Sequence, residues 1–133
     1  MDAVQIIKQY WGFTGIRPVQ IIERNQFGNL LVQDNSSRFW RICPEELSCE
    51  VIASNQKQMK QLWDEAEFKN DWHMTGFAVL AYNALGGVDD EQCYYFINPP
   101  ALGGGYDVAN IGITTIADLI IDSGIAAEKK LSA

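Results

Sequence analysis

The residue types that most often carry catalysis are scarce in this chain. There is one histidine, His73, and it lies between Trp72 and Met74. A nucleophile that needs an imidazole base, as in a Ser-His-Asp or Cys-His arrangement, would therefore have to use His73. Because its neighbours are apolar, the pattern favours a packed or partly exposed structural histidine over a catalytic base.

The three cysteines, Cys43, Cys49 and Cys93, are an odd number without CxxC spacing. A zinc site needs several Cys or His ligands at short spacings, and this chain does not offer them. We therefore expect reduced, mostly buried thiols rather than a disulfide framework, and no metal or cofactor.

Three successive glycines, Gly103–Gly105, follow an aromatic segment, Cys93–Ile97, and the sequence Asn98-Pro99-Pro100. The glycines match neither the P-loop pattern GxxxxGK[ST] nor the dinucleotide fingerprint GxGxxG. We interpret the aromatic segment as a central strand and the glycines as a tight loop that passes close to another backbone. The exposed tip of this loop is also a candidate for binding.

Acidic residues occur in short clusters rather than as a clear catalytic dyad. The cluster within 64–67 lies on a predicted helix surface, which is typical of a solvated face. A second cluster, Asp89-Asp90-Glu91, lies in a predicted turn, and Asp107 follows the glycines. A general acid–base pair requires a mutual geometry that these spacings do not establish.

The overall charge limits the classes of partner. The chain has 17 acidic and 10 basic residues and a net charge of −7. This balance argues against a nucleic-acid binder, which needs a basic surface, and permits a basic protein partner.

No apolar run reaches the roughly 20 residues that span a bilayer, and the first residues lack the features of a signal peptide. We expect a cytoplasmic protein that does not bind membranes.

The first half of the chain predicts a helix followed by a β-meander. Apolar residues at helical spacing indicate a helix over Asp2–Trp11, with Asp2 as its cap. Turn residues then separate four short segments of strand character, and Gly28 supplies a positive φ angle in the first turn. Short turns imply antiparallel pairing of these strands, which are Pro18–Asn25, Leu30–Gln33, Arg38–Cys43 and Cys49–Ala53.

The second half predicts further helices around the aromatic strand. One helix begins after Ser54 or Asn55 and runs to about residue 68, and another covers 71–84, although 77–82 could also be a strand. A short strand over 111–114 and a final helix over 116–128 complete the chain. Residues 1–133 are thus predicted to form one α+β domain, an antiparallel sheet with helices on one side and at the ends.

The C-terminal half resembles the immunity-protein domain found beside type VI secretion toxins, the GAD-like and DNase-immunity group. The resemblance is carried by an acidic turn with an aromatic strand, by a Pro-Ala-Leu-Gly-Gly segment and by a VANI segment, at Glu91–Ile97, Pro100–Gly104 and Asp107–Ile111. The upstream FGN turn and the segment RFWRICPEEL are similar to the early strands of the same family. The small immunity proteins of the SMI1/KNR4-like group are the alternative.

The resemblance implies a cytoplasmic, non-catalytic antitoxin that binds a cognate toxin and blocks its active site or substrate entry. A toxin with a basic groove, such as a nuclease, would suit the acidic charge. We select acidic and aromatic residues as candidate contacts with the toxin, namely Asp89, Asp90, Glu91, Tyr106, Asp107 and Trp72.

Two other hypotheses stay open: a small-ligand or regulatory module that uses Gly103–Gly105, and an enzyme that uses carboxylates near that loop. The oligomeric state is not predicted.

Overall fold

A computed structural model of the protein describes residues 2–132. Within them the chain forms five α-helices, which are Ala3–Trp11 (α1), Gln56–Trp63 (α2), Ala66–His73 (α3), Thr75–Leu85 (α4) and Ile116–Ser132 (α5). None of the helices in this described part is both long and apolar enough to cross a membrane. The segment 77–82, for which helix and strand were both open, is helical within α4.

The strands form two antiparallel sheets. They are Pro18–Arg24 (β1), Leu30–Asp34 (β2), Phe39–Cys43 (β3), Ser48–Ala53 (β4), Gln92–Phe96 (β5) and Ile111–Thr115 (β6). The first four pair in the order β1-β2-β3-β4, and β5 pairs with β6 in a separate sheet of two strands. The predicted α+β class and antiparallel meander are confirmed. The interpretation of the aromatic segment as a central strand is wrong, since β5 pairs with β6 in the separate sheet and its Tyr94 N donates a hydrogen bond at 2.9 Å to Gln26 O in the turn between β1 and β2.

Helices cover both faces of the four-stranded sheet, whereas we expected them on one side and at the ends. Successive positions along β2 are buried against different clusters, with Leu30 and Val32 on one face and Leu31 on the other. The first face packs against α1 and α5, and the second packs against α2 and α3 through residues that include Met59 and Trp72. A sheet that is apolar on both faces needs a helical layer on each.

The helices that follow β4 are divided differently from the prediction. The predicted single helix is interrupted at Asp64, whose N–H bonds to carbonyls of the last turn of α2, and α3 then runs through the expected polar break. The next boundary is Met74, which adopts a left-handed conformation with φ 49°. A buried tertiary contact supports this boundary, because the Asn25 side-chain amide donates a hydrogen bond to the Trp72 carbonyl at 2.7 Å. This contact is long-range and therefore left no local signal in the sequence.

The N-terminus of α1 allows a direct test of a sequence-encoded cap. The Asp2 carboxylate accepts a hydrogen bond from Gln5 N at 2.9 Å, and the Gln5 side chain accepts one from Asp2 N at 3.3 Å, which forms a capping box. We expect Asp2→Ala to lower the free energy of unfolding by about 1 kcal/mol, measured by urea denaturation. Asp2→Ser should retain most of the stability, and equal losses for the two variants would contradict this role.

Candidate functional site

Five of the six predicted contact residues lie in the segments before and after β5. The acidic turn Asp89–Glu91 immediately precedes this strand, and Tyr106 and Asp107 follow its far end. A five-residue strand at about 3.3 Å per residue separates the two groups by roughly 16 Å along its axis. These residues therefore lie in two groups, one at each end of β5.

The acidic turn is fixed by its backbone and leaves its carboxylates exposed. The Arg24 guanidinium donates hydrogen bonds to the carbonyls of Asp90 and Gln92, both at 3.0 Å. The Asp89 carboxylate accepts a hydrogen bond from Glu91 N at 2.9 Å, and all three acidic side chains of the turn are exposed. The turn thus presents a small acidic surface of defined shape.

The glycine loop is built for close backbone packing, as predicted. A Cβ atom on Gly104 would lie 1.8 Å from the carbonyl oxygen of Asn98, and Gly103 has a φ of 99°. The Asn110 amide holds the loop, since it donates to Asn98 O at 2.8 Å and to Gly105 O at 2.9 Å. Only glycine fits at position 104, and the loop places Tyr106 at a fixed position.

Trp72, which we selected as a candidate contact, is a buried residue. Its side chain is 1% exposed, and it stacks on Phe68 with ring centroids 6.3 Å apart. The Arg41 guanidinium lies 5.1 Å from the ring centroid on the sheet side. The residue therefore joins α3 to the sheet and has almost no surface to offer a partner.

Tyr106 is exposed and held in place by other aromatic rings. It is 47% exposed, and its ring packs 5.6 Å from that of Phe77 and 5.1 Å from that of Phe96. Burial of the phenol, together with the nearby carboxylates of Glu45 and Glu46, raises its pKa, so the hydroxyl stays neutral. A rigid, half-exposed aromatic side chain is typical of an energetically important contact in a protein interface.

Tyr106 borders a groove of about 640 Å³ between β3, β4, the junction of α3 with α4, and the glycine loop. We call it the acidic groove, because four of its lining residues are Glu45, Glu46, Glu50 and Asp71, against one basic residue, Arg41. Phe77 and Met74 form an apolar wall beside the acids. The groove therefore combines negative charge with an aromatic wall.

A buried polar network underlies the acidic groove. Asn29, which is 0% exposed, donates its amide to both carboxylate oxygens of Glu45, at 2.8 and 3.0 Å. The Asn29 carbonyl accepts hydrogen bonds from Arg41 Nε at 3.1 Å and Nη2 at 2.9 Å. The other terminal nitrogen of Arg41 forms an ion pair with Asp71. The network thus connects the sheet to α3 through alternating charged and polar groups.

Burial raises the pKa of two groups beneath the acidic groove, the Glu45 carboxyl group and the Cys43 thiol. It raises the pKa of Glu45, and the hydrogen bonds from Asn29 and Cys43 oppose that shift only in part. Burial and the Glu45 carboxylate also raise the pKa of the Cys43 thiol far above its usual value. A thiol held in this protonated form is a poor nucleophile. Cys43 is therefore not activated for covalent chemistry.

His73 and the three cysteines are the residues considered above for catalysis or metal binding. His73 is exposed in the last turn of α3 and lies edge-on to Trp63, with ring centroids 6.4 Å apart. The three cysteines are free thiols. In residues 2–132, no group of three or more His, Cys, Asp and Glu side chains is placed to hold a metal ion.

The acidic groove has no local pattern in the sequence. Its members come from β3, the turn after it, β4 and α3, and no local spacing relates Glu45 to Asp71. One signal was present, since Arg41 is a charged residue within an otherwise apolar strand. Such a residue must find polar partners when its strand is buried on both faces.

One comparison with known proteins finds a match. A family model described as "T6SS immunity protein Tdi1, C-terminal" matches residues 53–121, which are 69 of the 133 residues. The match runs from the last residue of β4 into α5, and it includes the acidic turn, the glycine loop and the α3–α4 wall of the acidic groove. No curated protein matches the chain.

Proposed function

The chain belongs to the T6SS immunity protein Tdi1, C-terminal, family, and from this premise we propose that it is a non-catalytic antitoxin. It binds a cognate type VI secretion toxin in the cytoplasm and blocks the active site or the entry of substrate. The family match is the observation that carries this proposal. Residues 1–133 act as one domain, in which the larger sheet supports the matched region.

Charge complementarity supports a basic toxin. The net charge is −7, and acidic side chains are exposed both at the acidic turn and in the acidic groove. Complementary fields accelerate the capture of a partner and favour the correct one. A nuclease with a basic substrate-binding surface would be attracted electrostatically to this acidic protein. Within the immunity proteins, the GAD-like and DNase-immunity group remains our assignment, ahead of the SMI1/KNR4-like group.

The direct test is co-expression with the protein encoded beside this chain's gene. We expect the neighbouring protein to arrest growth when it is expressed alone, and expect the pair to grow normally and to co-purify as a stable complex. A harmless neighbour that forms no complex would reject the proposed function.

The exposed acids around β5 provide a second test. Reversing Asp89, Asp90 and Asp107 together to lysine should weaken toxin binding at least tenfold at low salt, because like charges would then oppose the basic toxin. Isothermal titration calorimetry measures the change. The matched control reverses Asp64, Glu65 and Glu67, which carry the same charge and are exposed at the junction of α2 with α3. Equal weakening by both triple variants would show an effect of net charge alone and contradict a specific role for these residues.

A small-ligand or regulatory module is the second candidate function. A cavity of about 350 Å³ lies beside the segment that leads into Gly103–Gly105, and it is lined by residues that include Pro99, Leu102 and Leu119. Its size lies at the lower end of the usual range for ligand pockets. Native mass spectrometry of the purified protein would detect a retained ligand, and a mass equal to that of the chain alone would count against this alternative.

A further inference from the structure

We propose that the acidic groove receives an arginine or lysine side chain from a protruding segment of the toxin, with Tyr106 packed against that segment. This inference rests on the proposed function and names the surface and the chemistry through which the toxin is held. The volume of about 640 Å³ lies within the range of ligand sites and accommodates a long side chain with its flanking backbone.

The charge balance of the groove is the first argument. Its four carboxylates face a single guanidinium, that of Arg41, which is already bonded to Asn29 and Asp71. Glu46 and Glu50 are exposed and take part in neither of the two ion pairs found within residues 2–132. The groove therefore carries negative charge that its own cation does not neutralise.

The burial of Glu45 provides the second argument. Glu45 is 6% exposed and lines the groove, and its carboxylate accepts hydrogen bonds from the Asn29 amide and from the Cys43 thiol, which are both uncharged donors. Among residues 2–132, no basic side chain forms an ion pair with it. A buried carboxylate is costly without a cationic partner, and an incoming cation would supply one. Because Glu45 is already buried in the free protein, pairing it with a cation requires little further desolvation of its carboxylate.

The aromatic wall is the third argument. Tyr106 is 47% exposed but is fixed by the rings of Phe77 and Phe96. Because the ring is already ordered, little side-chain entropy is lost when a partner packs on it. The flat faces of such rings also attract guanidinium and ammonium groups. A basic side chain that enters the groove would interact with both the carboxylates and the aromatic rings.

Removing the two exposed acids of the groove tests the inference without disturbing the buried network. The probe is a catalytically inactive variant of the neighbouring-gene toxin, with binding measured by surface plasmon resonance at low and high salt. We expect Glu46→Gln with Glu50→Gln to raise Kd at least tenfold, mainly through a slower association rate with a weaker salt dependence. Tyr106→Ala should raise Kd by a similar factor, and Tyr106→Phe should restore most of the affinity.

The matched control is Glu65→Gln with Glu67→Gln, which removes two exposed charges outside the groove. We expect it to change Kd less than twofold, and thermal melts should show that all variants fold. Unchanged binding of the groove variants, or an equal loss in the control, would overturn the inference while leaving the proposed function intact. If the wild-type protein itself does not bind the toxin, the proposed function fails and the inference fails with it.

Discussion

Asn29→Ala is expected to lower the free energy of unfolding by about 3 kcal/mol, because it removes a hydrogen-bond partner from two charged groups at once. Asn29 is 0% exposed and bonds to Glu45 and Arg41 at once. Alanine would leave a buried carboxylate and a partly buried guanidinium without these hydrogen bonds. Urea denaturation monitored by tryptophan fluorescence would measure the loss.

The matched control is Asn35→Ala, which deletes the same group from an exposed turn and should cost less than about 0.5 kcal/mol. A loss below about 1 kcal/mol for Asn29→Ala would show that water replaces the amide and would contradict the role of the network.

The cost of Asn29→Ala should also depend on pH. Burial raises the pKa of Glu45 in the folded state, so its favourable contribution is complete below the unfolded pKa and decreases as the pH rises through the folded value. Asn29 stabilises the ionised carboxylate, and its removal should raise that pKa further. The stability difference between wild type and variant is therefore expected to be larger at neutral pH than at pH 4.

Local signals allowed much of the fold to be predicted. The caps at Asp2, Asn55 and Thr115 each accept a hydrogen bond from a backbone N–H three residues later, and such bonds depend only on near neighbours. Gly28 has a φ of 70°, as the turn required. Helix starts and tight turns are encoded within a few residues, so the sequence specified them directly.

Features that depend on long-range packing were not predicted. The left-handed Met74 lies beside a carbonyl held by Asn25, which is 47 residues away from Trp72 in the sequence. Trp72 was selected as a candidate contact because an amphipathic pattern does not say which face of a helix a neighbouring element covers. The acidic groove was missed for the same reason, since Glu45 and Asp71 meet only after α3 packs on the sheet. Of the predicted contacts, Tyr106 alone lines this groove.

Asp34→Asn is expected to lower the free energy of unfolding by about 3 kcal/mol, because it leaves buried donors without an acceptor. The Asp34 side chain is 0% exposed and accepts four hydrogen bonds at 2.8 Å each. Two come from the backbone N–H groups of Ser36 and Arg38, and two come from the side chains of Arg38 and Trp40. An asparagine presents one acceptor and one donor, so its NH2 group must face existing donors.

The pH dependence of stability provides the decisive readout for Asp34. Burial raises its pKa, but the hydrogen bonds from Trp40, Arg38 and Ser36 outweigh burial and hold the pKa below the usual 3.8. The contribution of Asp34 is therefore complete above the unfolded pKa and is lost as the pH falls through the lower folded value. Wild type should lose stability steeply between about pH 4 and pH 2, and Asp34→Asn should lose less over that interval. The exposed control Asp90→Asn should follow the wild-type profile. Parallel profiles for wild type and Asp34→Asn would show that another carboxylate governs acid unfolding, and that the turn between β2 and β3 does not depend on this charge.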